Sequence, residues 1–319
     1  MNGMWQKYLG SFSGKIYFVV LLLLVLAPWI FELIDQPFYL DLLSRVLILA
    51  IAAISLNLIM GYGGMVSLGH AAYLGIGAYC VGIPAYYSEY SGFMQLGYTI
   101  FFSALFALVT GALSLRTKGV YFIMITMAFT QMVYFTFVSI EEYGGDDGLV
   151  IDLRSEFPGL LNLENNTTLY YTILGFLFLC LLIVYRLVNA RFGKVIVGSK
   201  HNEKRMLALG YPTYQYRLVC YVISGVMCGI AGFFLGNFTS FISPEMMDWT
   251  RSGELIFMIV MGGTGTLMGP LLGAGVFILL EEWLSNITIY WHFIFGVLLI
   301  FLVLFGKGGL HGLLTMRGR

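Results

Sequence analysis

Charge is what this sequence has least of. Asp, Glu, Lys and Arg make up 11% of its 319 residues, whereas a water-soluble domain carries about a quarter, so no sizeable part of the chain is built around a water-facing surface. The 17 basic residues balance the 17 acidic ones, which leaves no net field to attract nucleic acid or another polyanion. Cysteine is scarce too. Cys80, Cys180, Cys220 and Cys228 all sit in apolar stretches with no pair at zinc-ligand spacing, so they read as small, reduced core residues rather than disulfide or metal partners. No G-x-x-x-x-G-K-[ST] motif occurs, and any nucleotide must therefore be bound elsewhere. Behind Lys7 and Lys15, the apolar run Ile16 to Phe31 ends with Pro28 and Trp29 and is followed by Glu32 and by no small-x-small cleavage site. It reads as an uncleaved first span.

What the sequence has in abundance is apolar length, with 59% of residues hydrophobic. A hydrocarbon layer about 30 Å thick needs roughly 20 apolar residues in a helix, because only internal hydrogen bonding satisfies a backbone in lipid. Such windows run Ile16 to Ile34, Leu42 to Met60, Gly69 to Tyr87, Gly97 to Leu115, Val120 to Ile140, Leu169 to Val188, Arg217 to Asn237, Gly253 to Met261, Pro270 to Leu284 and Trp291 to Phe305. The eighth and ninth are short. The expected fold is an all-α, polytopic transmembrane bundle of about ten spans, forming a single domain over 1–319 whose longest polar connection is 189–216. Basic residues gather before the first span (Lys7, Lys15), after the fourth (Arg116, Lys118), between the sixth and seventh (Arg191, Lys194, Lys200, Lys204, Arg205) and in the tail (Lys307, Arg317, Arg319). These four clusters fall on one side, which the positive-inside rule makes cytoplasmic, together with both termini. The other side receives Glu32, Asp35, Glu89, the run from Glu141 to Glu156, and Glu245 and Asp248.

Two uncharged, glycine-rich segments interrupt this pattern, Gly61-Tyr-Gly-Gly-Met-Val-Ser-Leu-Gly-His70 and Gly262-Gly-Thr-Gly-Thr-Leu-Met-Gly-Pro270. An open cytoplasmic loop carries charge, so these read as backbone broken at membrane depth, tolerated where protein or water covers it and apt to line a pathway. Their glycines also suit close helix packing. Gly61, Gly63, Gly64, Ser67, Gly262, Gly263 and Thr266 are thus candidate pathway residues. His70, with no ligand-spaced partner for a metal, suits helix-end packing or pathway lining. Thr126, Thr130 and Gln131 lie within the apolar fifth span, where polar groups either join helices or face a cavity.

In the basic connection, Asn202-Glu-Lys-Arg-Met-Leu-Ala-Leu-Gly210 predicts a short helix, capped by Asn202 and stopped by Gly210 and Pro212. Met206 and Leu209 are expected on one face with Leu207 beside them. That face suits either a partner's groove or a headgroup surface on which Lys204 and Arg205 would snorkel.

Several of these segments resemble one family. The run Leu56 to Tyr79, with Met-Gly-Tyr-Gly-Gly-Met-Val-Ser-Leu-Gly-His at its centre, is similar to the signature of branched-chain amino acid ABC transporter permeases of the LivM type. The segments Phe192 to Gly210, Ile259 to Pro270 and Tyr143 to Gly148 follow that family's motifs in order, and the resemblance extends from roughly Leu42 to Phe305. It implies a non-enzymatic permease subunit in the bacterial inner membrane, importing branched-chain or related amino acids. It also implies a second, LivH-type permease, two cytoplasmic ATPase subunits that carry ATP and Mg, and an extracytoplasmic binding protein. No cofactor is expected on this chain. The coupling helix would comprise Asn202, Glu203, Met206, Leu209 and Gly210, although Lys204-Arg205-Met206 replaces the family's small alanine pair. Relatives of the same class carry urea or short amides. An ion-coupled carrier would instead need ionisable groups at mid-depth, and spans one to seven are expected to hold none, with Glu254, Glu281 and Glu282 at span ends. His292 and Glu281-Glu282 are too sparse a set for an embedded enzyme.

Overall fold

The computed structural model of the chain describes residues 12–34, 36–157, 161–305 and 308–316. Lys7, Asp35, Lys307, Arg317 and Arg319, used above to orient the chain, lie outside the described residues. Every predicted span falls on a helix: α1 (Phe12–Ile34), α2 (Pro37–Asn57), α3 (His70–Tyr86), α4 (Gly92–Ser114), α5 (Val120–Val138), α6 (Asn166–Asn189), α9 (Thr213–Thr239), α10 (Trp249–Gly262), α11 (Gly269–Ile287) and α12 (Trp291–Phe305). The polar connection carries α7 (Arg191–His201) and α8 (Glu203–Ala208), and α13 (Gly309–Met316) follows the last span. Among the described residues six helices are long and apolar enough to cross a membrane, namely α2 with its π-helical extension Leu58–Tyr62, α4, α5, α6, α9 and α11.

Helix ends follow local chemistry more than the apolar windows do. Pro37 opens α2 five residues before its window, because a proline lacks only an N–H that the first turn leaves unbonded anyway. The Asn165 side chain accepts from Thr167 N at 3.1 Å and starts α6 three residues early. The ninth window, short in the sequence, belongs to a 19-residue helix, α11. The eighth is short in the structure as well, at 14 residues.

The bundle is organised around α9, which packs on α2, α3 and α4. Small residues bring the helices together. A Cβ on Gly77 of α3 would stand 2.0 Å from the Gly229 carbonyl oxygen of α9, and one on Gly232 would stand 2.0 Å from the Leu74 carbonyl oxygen. With lipid outside and no hydrophobic gradient between helices, such backbone-to-backbone packing supplies the attraction that holds spans together. Tyr73, Tyr79, Tyr221, Phe233 and Phe234 fill the layer around this crossing and are fully buried.

At one end of the bundle, short strands tie the connections. β1 (Leu149–Val150) pairs antiparallel with β4 (Phe241–Ile242), and β2 (Glu156–Phe157) with β3 (Leu161–Asn162). The other end carries α7 and α8, and there Lys118 pairs with Glu203. Two of the four basic clusters thus meet on one side, as the charge pattern requires.

The α3/α9 crossing yields a direct expectation. Gly77→Ala or Gly232→Ala should lower the thermal midpoint of the detergent-purified protein by several degrees, since each Cβ overlaps backbone that cannot move aside. Gly97→Ala, with nothing within 4 Å of its Cβ, should leave the midpoint unchanged.

Candidate functional site

The two glycine-rich breaks, separated by some two hundred residues of sequence, lie side by side. Asn57, buried at the end of α2, donates from Nδ2 to the Thr266 carbonyl at 2.8 Å and accepts at Oδ1 from Gly265 N at 2.9 Å. One side-chain amide thereby satisfies a donor and an acceptor of irregular, part-buried backbone. Gly61 makes the approach possible: a Cβ there would be 2.5 Å from Gly265 N. Lys200 of α7 donates to the Gly61 carbonyl at 2.7 Å, and its aliphatic stem lies over Gly64. The α7–α8 end is therefore bonded directly to the first break and, through Asn57, to the second.

The first break then runs inward. Leu68 N bonds Thr126 Oγ1 at 3.3 Å and the Leu68 carbonyl accepts from Thr130 Oγ1 at 3.3 Å. Both threonines lie well inside α5. A helix that starts inside a bundle leaves its first N–H groups unpaired, and here side chains satisfy them. Ser67 Oγ accepts from Gly69 N at 3.1 Å, and Ser252 Oγ of α10 accepts from Ala71 N at 2.8 Å. His70 is fully buried, with Nε2 2.9 Å from Ser224 Oγ of α9, and its carbonyl accepts from Cys228 Sγ. Ser67, His70 and Thr126 are thus placed in buried joints between helices. Among the candidate glycines Gly61, Gly63, Gly262 and Gly263 are buried while Gly64 is exposed; Thr266 is half-buried and caps α11 by accepting from Gly269 N at 3.1 Å.

A third discontinuity was not legible as such. After β4 the chain turns back into the bundle through the 3-10 turn Pro244–Met247, which seats the fully buried Met247 against Gly75 of α3. Asp248 then caps α10, accepting from Trp249 N at 2.8 Å, from Thr250 Oγ1 at 2.6 Å and from Gln131 Nε2 of α5 at 2.9 Å. Gln131 lies seven residues before the end of α5, so α10 begins about 10 Å below that end, at about 1.5 Å per residue. The signal was present as Asp248-Trp-Thr before a 14-residue helix, an N-cap pattern on a segment too short to cross.

Charged side chains also pair within the helices. Arg45 lies about 12 Å along α2 from Pro37 and pairs with Glu281 of α11 at 2.9 Å. Glu254 likewise sits inside α10, paired with Arg251 at 3.0 Å. Glu254 lies five residues from the start of α10 and Glu281 six from the end of α11, because both helices extend further than their apolar windows.

In the polar connection, Asn202 caps α8 as expected, accepting from Arg205 N at 3.0 Å, and Gly210 stops it at φ +85°. The face differs from the expected one. Met206 turns inward over Gly198 of α7, leaving Leu207 and Leu209 as the exposed apolar pair. The cause is α7, an amphipathic helix the sequence reading missed, which buries Val195 and Ile196 and offers Met206 a surface. Glu203 points into the protein, to Lys118, to Arg217 Nη1 at 3.2 Å and to Thr213 Oγ1 at 3.4 Å, while Arg217 Nη2 donates to the Ser199 carbonyl at 3.2 Å. Partial burial raises the Glu203 pKa, but the Lys118 hydrogen bond and the Arg217 and Lys118 charges outweigh it and hold the carboxyl below its ordinary value.

A carboxyl depressed on folding stabilises the fold above its unfolded pKa and loses that contribution as pH falls through its folded one. The protection factors of the α8 amides, taken relative to intrinsic exchange at each pH, should accordingly fall as pH is lowered below the ordinary glutamate range. Glu203→Gln should show fast exchange already at neutral pH and no such acid step. An unchanged exchange rate in the variant would mean that α8 is held by something else.

The family model described as the branched-chain amino acid transport system / permease component matches residues 38–303. The chain is 23% identical to the high-affinity branched-chain amino acid transport system permease protein LivM of Escherichia coli strain K12, over 94% of this chain and 76% of that protein. It is 27% identical to a probable branched-chain amino acid transport permease protein LivM of Methanocaldococcus jannaschii, over 44% of this chain and 45% of that one. It is also 24% identical to the autoinducer 2 import system permease protein LsrC of Yersinia pseudotuberculosis, over 66% of this chain and 63% of the relative. No solved structure matches. With the family match spanning most of the chain and its breaks joined inside an all-α, multi-pass bundle, this protein belongs to the branched-chain amino acid transport system permease family.

Proposed function

We propose that the chain is the inner-membrane permease subunit of an ATP-driven importer for branched-chain amino acids, with ten spans and both termini in the cytoplasm. It catalyses no bond chemistry. ATP and Mg bind on two separate ATPase subunits that dock at the α7–α8 end, a second permease completes the pathway, and an extracytoplasmic binding protein delivers the solute. The observation that carries this reading is a continuous path of contacts: Lys200 of α7 bonds the Gly61 carbonyl, Gly61 packs directly on Gly265, and Asn57 bonds Gly265 and Thr266. A push on the polar connection reaches both breaks at once, which is what alternating access requires of a coupling element.

On this reading α8, with Asn202, Glu203, Met206, Leu209 and Gly210, is the coupling segment. Leu207 and Leu209 are the side chains offered to an ATPase groove, and Glu203 and Met206 fix the segment to the permease body. Gly64 and the half-buried Thr266 and Gln131 are the candidate pathway residues best placed to meet solute. Ser67, His70 and Thr126 act as the joints on which the breaks pivot.

The test is reconstitution of the full complex in proteoliposomes. Wild type should accumulate leucine only when ATP is inside with the ATPase subunits, and uptake without ATP would return the reading to an ion-coupled carrier. Asn57→Ala orphans a buried donor and a buried acceptor, each at a cost of about 1–3 kcal/mol. In that variant ATP hydrolysis should continue while leucine uptake falls, raising the ATP consumed per leucine. Hydrolysis and uptake falling in step would show that Asn57 transmits nothing.

A further inference from the structure

Four charged side chains stand inside the bundle in two pairs, and none is sealed. Arg251 and Glu254 of α10 keep 45% and 34% of their side-chain surface exposed, and Arg45 and Glu281 keep 34% and 18%. The pairs are neighbours, since Arg251 interacts electrostatically with Glu281 and Glu245 as well as with Glu254. Lipid is excluded as the medium facing them, because an open charge at this depth costs about 2.5–3.5 kcal/mol even on the most lenient scale. A dry protein interface fits poorly too, since the buried centre of an interface is depleted in charge. The same face of α10 carries the exposed Thr250 and Phe257 and the half-buried Gly253, whose Cβ position meets nothing within 4 Å. Water is the medium this face suits.

We propose that the outer half of α10 lines the solute route and that Arg251 and Glu254 form a zwitterion relay, accepting an amino acid's carboxylate and ammonium in exchange for each other. The inference rests on the importer reading above and adds the part of the chain that touches solute. An i,i+3 pair holds a cation and an anion side by side on one helix face, matching the two charges of an amino acid backbone. Exchanging partners leaves every ion paired, so the solute enters without stranding a charge in a low-dielectric place. Glu245 and Asp248 precede the pair at the turn where the chain enters the bundle, and Glu245 adds to the charges around Arg251. The arrangement reads the backbone of an amino acid and ignores its side chain, leaving side-chain selection to other parts of the system.

Two measurements on the assembled complex test this. Cysteine at Thr250 or Gly253 should react with a small water-soluble methanethiosulfonate in at least one nucleotide state, while cysteine at Leu279, exposed on α11, should not. Failure of both α10 positions to react in every state would overturn the proposal. The double variant R251Q/E254Q removes both charges and leaves neither unpaired. It should still co-purify with its partner subunits, while leucine uptake falls by about tenfold or more, the scale of lost charge-assisted hydrogen bonds. Uptake at the wild-type rate would overturn the relay. So would loss of assembly, which would make the face a subunit interface. If the cysteine variants label as expected but the wild-type complex imports no leucine, the importer's assigned substrate fails instead, and the water-lined face stands.

Discussion

Irregular backbone inside a bundle needs partners for its donors and acceptors, and in this protein one buried side chain, at the edge of the first break, supplies both to the second. Asn57 has a donor and an acceptor in fixed geometry, and it uses both on the second break while sitting at the edge of the first. A helical extension of α2 as a π turn, Leu58–Tyr62, carries the chain past it. Without the amide, Gly265 N and the Thr266 carbonyl would be left bare next to Gly61, and the close approach of the two glycines would have no favourable contact to hold it. The rest follows in order. Lys200 reaches Gly61, α7 is thereby fastened to the bundle, and α8 hangs from α7 through Met206 and Glu203.

The same economy governs the other irregular points. The N-terminus of α3 is satisfied by Ser67, Thr126 and Ser252, drawn from the break itself and from two other helices. The N-terminus of α10 is satisfied by Asp248, which is held in turn by Gln131. Thr126 and Gln131 thus complete helix ends belonging to neighbours. Thr126 and Thr130, four residues apart, share the buried side of α5 with Phe122, while Tyr121, Met124, Met132 and Phe135 are exposed.

Much of this was legible in the sequence. Apolar length located a helix at each of the ten windows, the uncharged glycine runs located two breaks, and Asn202 with Gly210 located α8. Three things were not legible. Pairing of the breaks depends on Asn57, which reads as one more polar residue in an apolar span until its partners far along the chain are known. The helix α7 is amphipathic but lies among basic residues that read as a loop. The inward turn at Pro244–Met247 carries Glu245 and Asp248, and acidic residues beside a span end look extracytoplasmic when depth is judged by charge alone. The decision against an ion-coupled carrier is carried by the family match.

The central claim is that the two breaks move as one body. Spin labels on cysteines at Val66 and Thr264, one in each break, would report it through their separation during turnover of the assembled complex. The account predicts one distance that is the same in the ATP-bound and nucleotide-free states, while the distance from either label to Ser91 at the opposite end changes. A separation between the breaks that shifts by several ångströms with nucleotide would contradict it, and would mean that Asn57 holds them together in one state only.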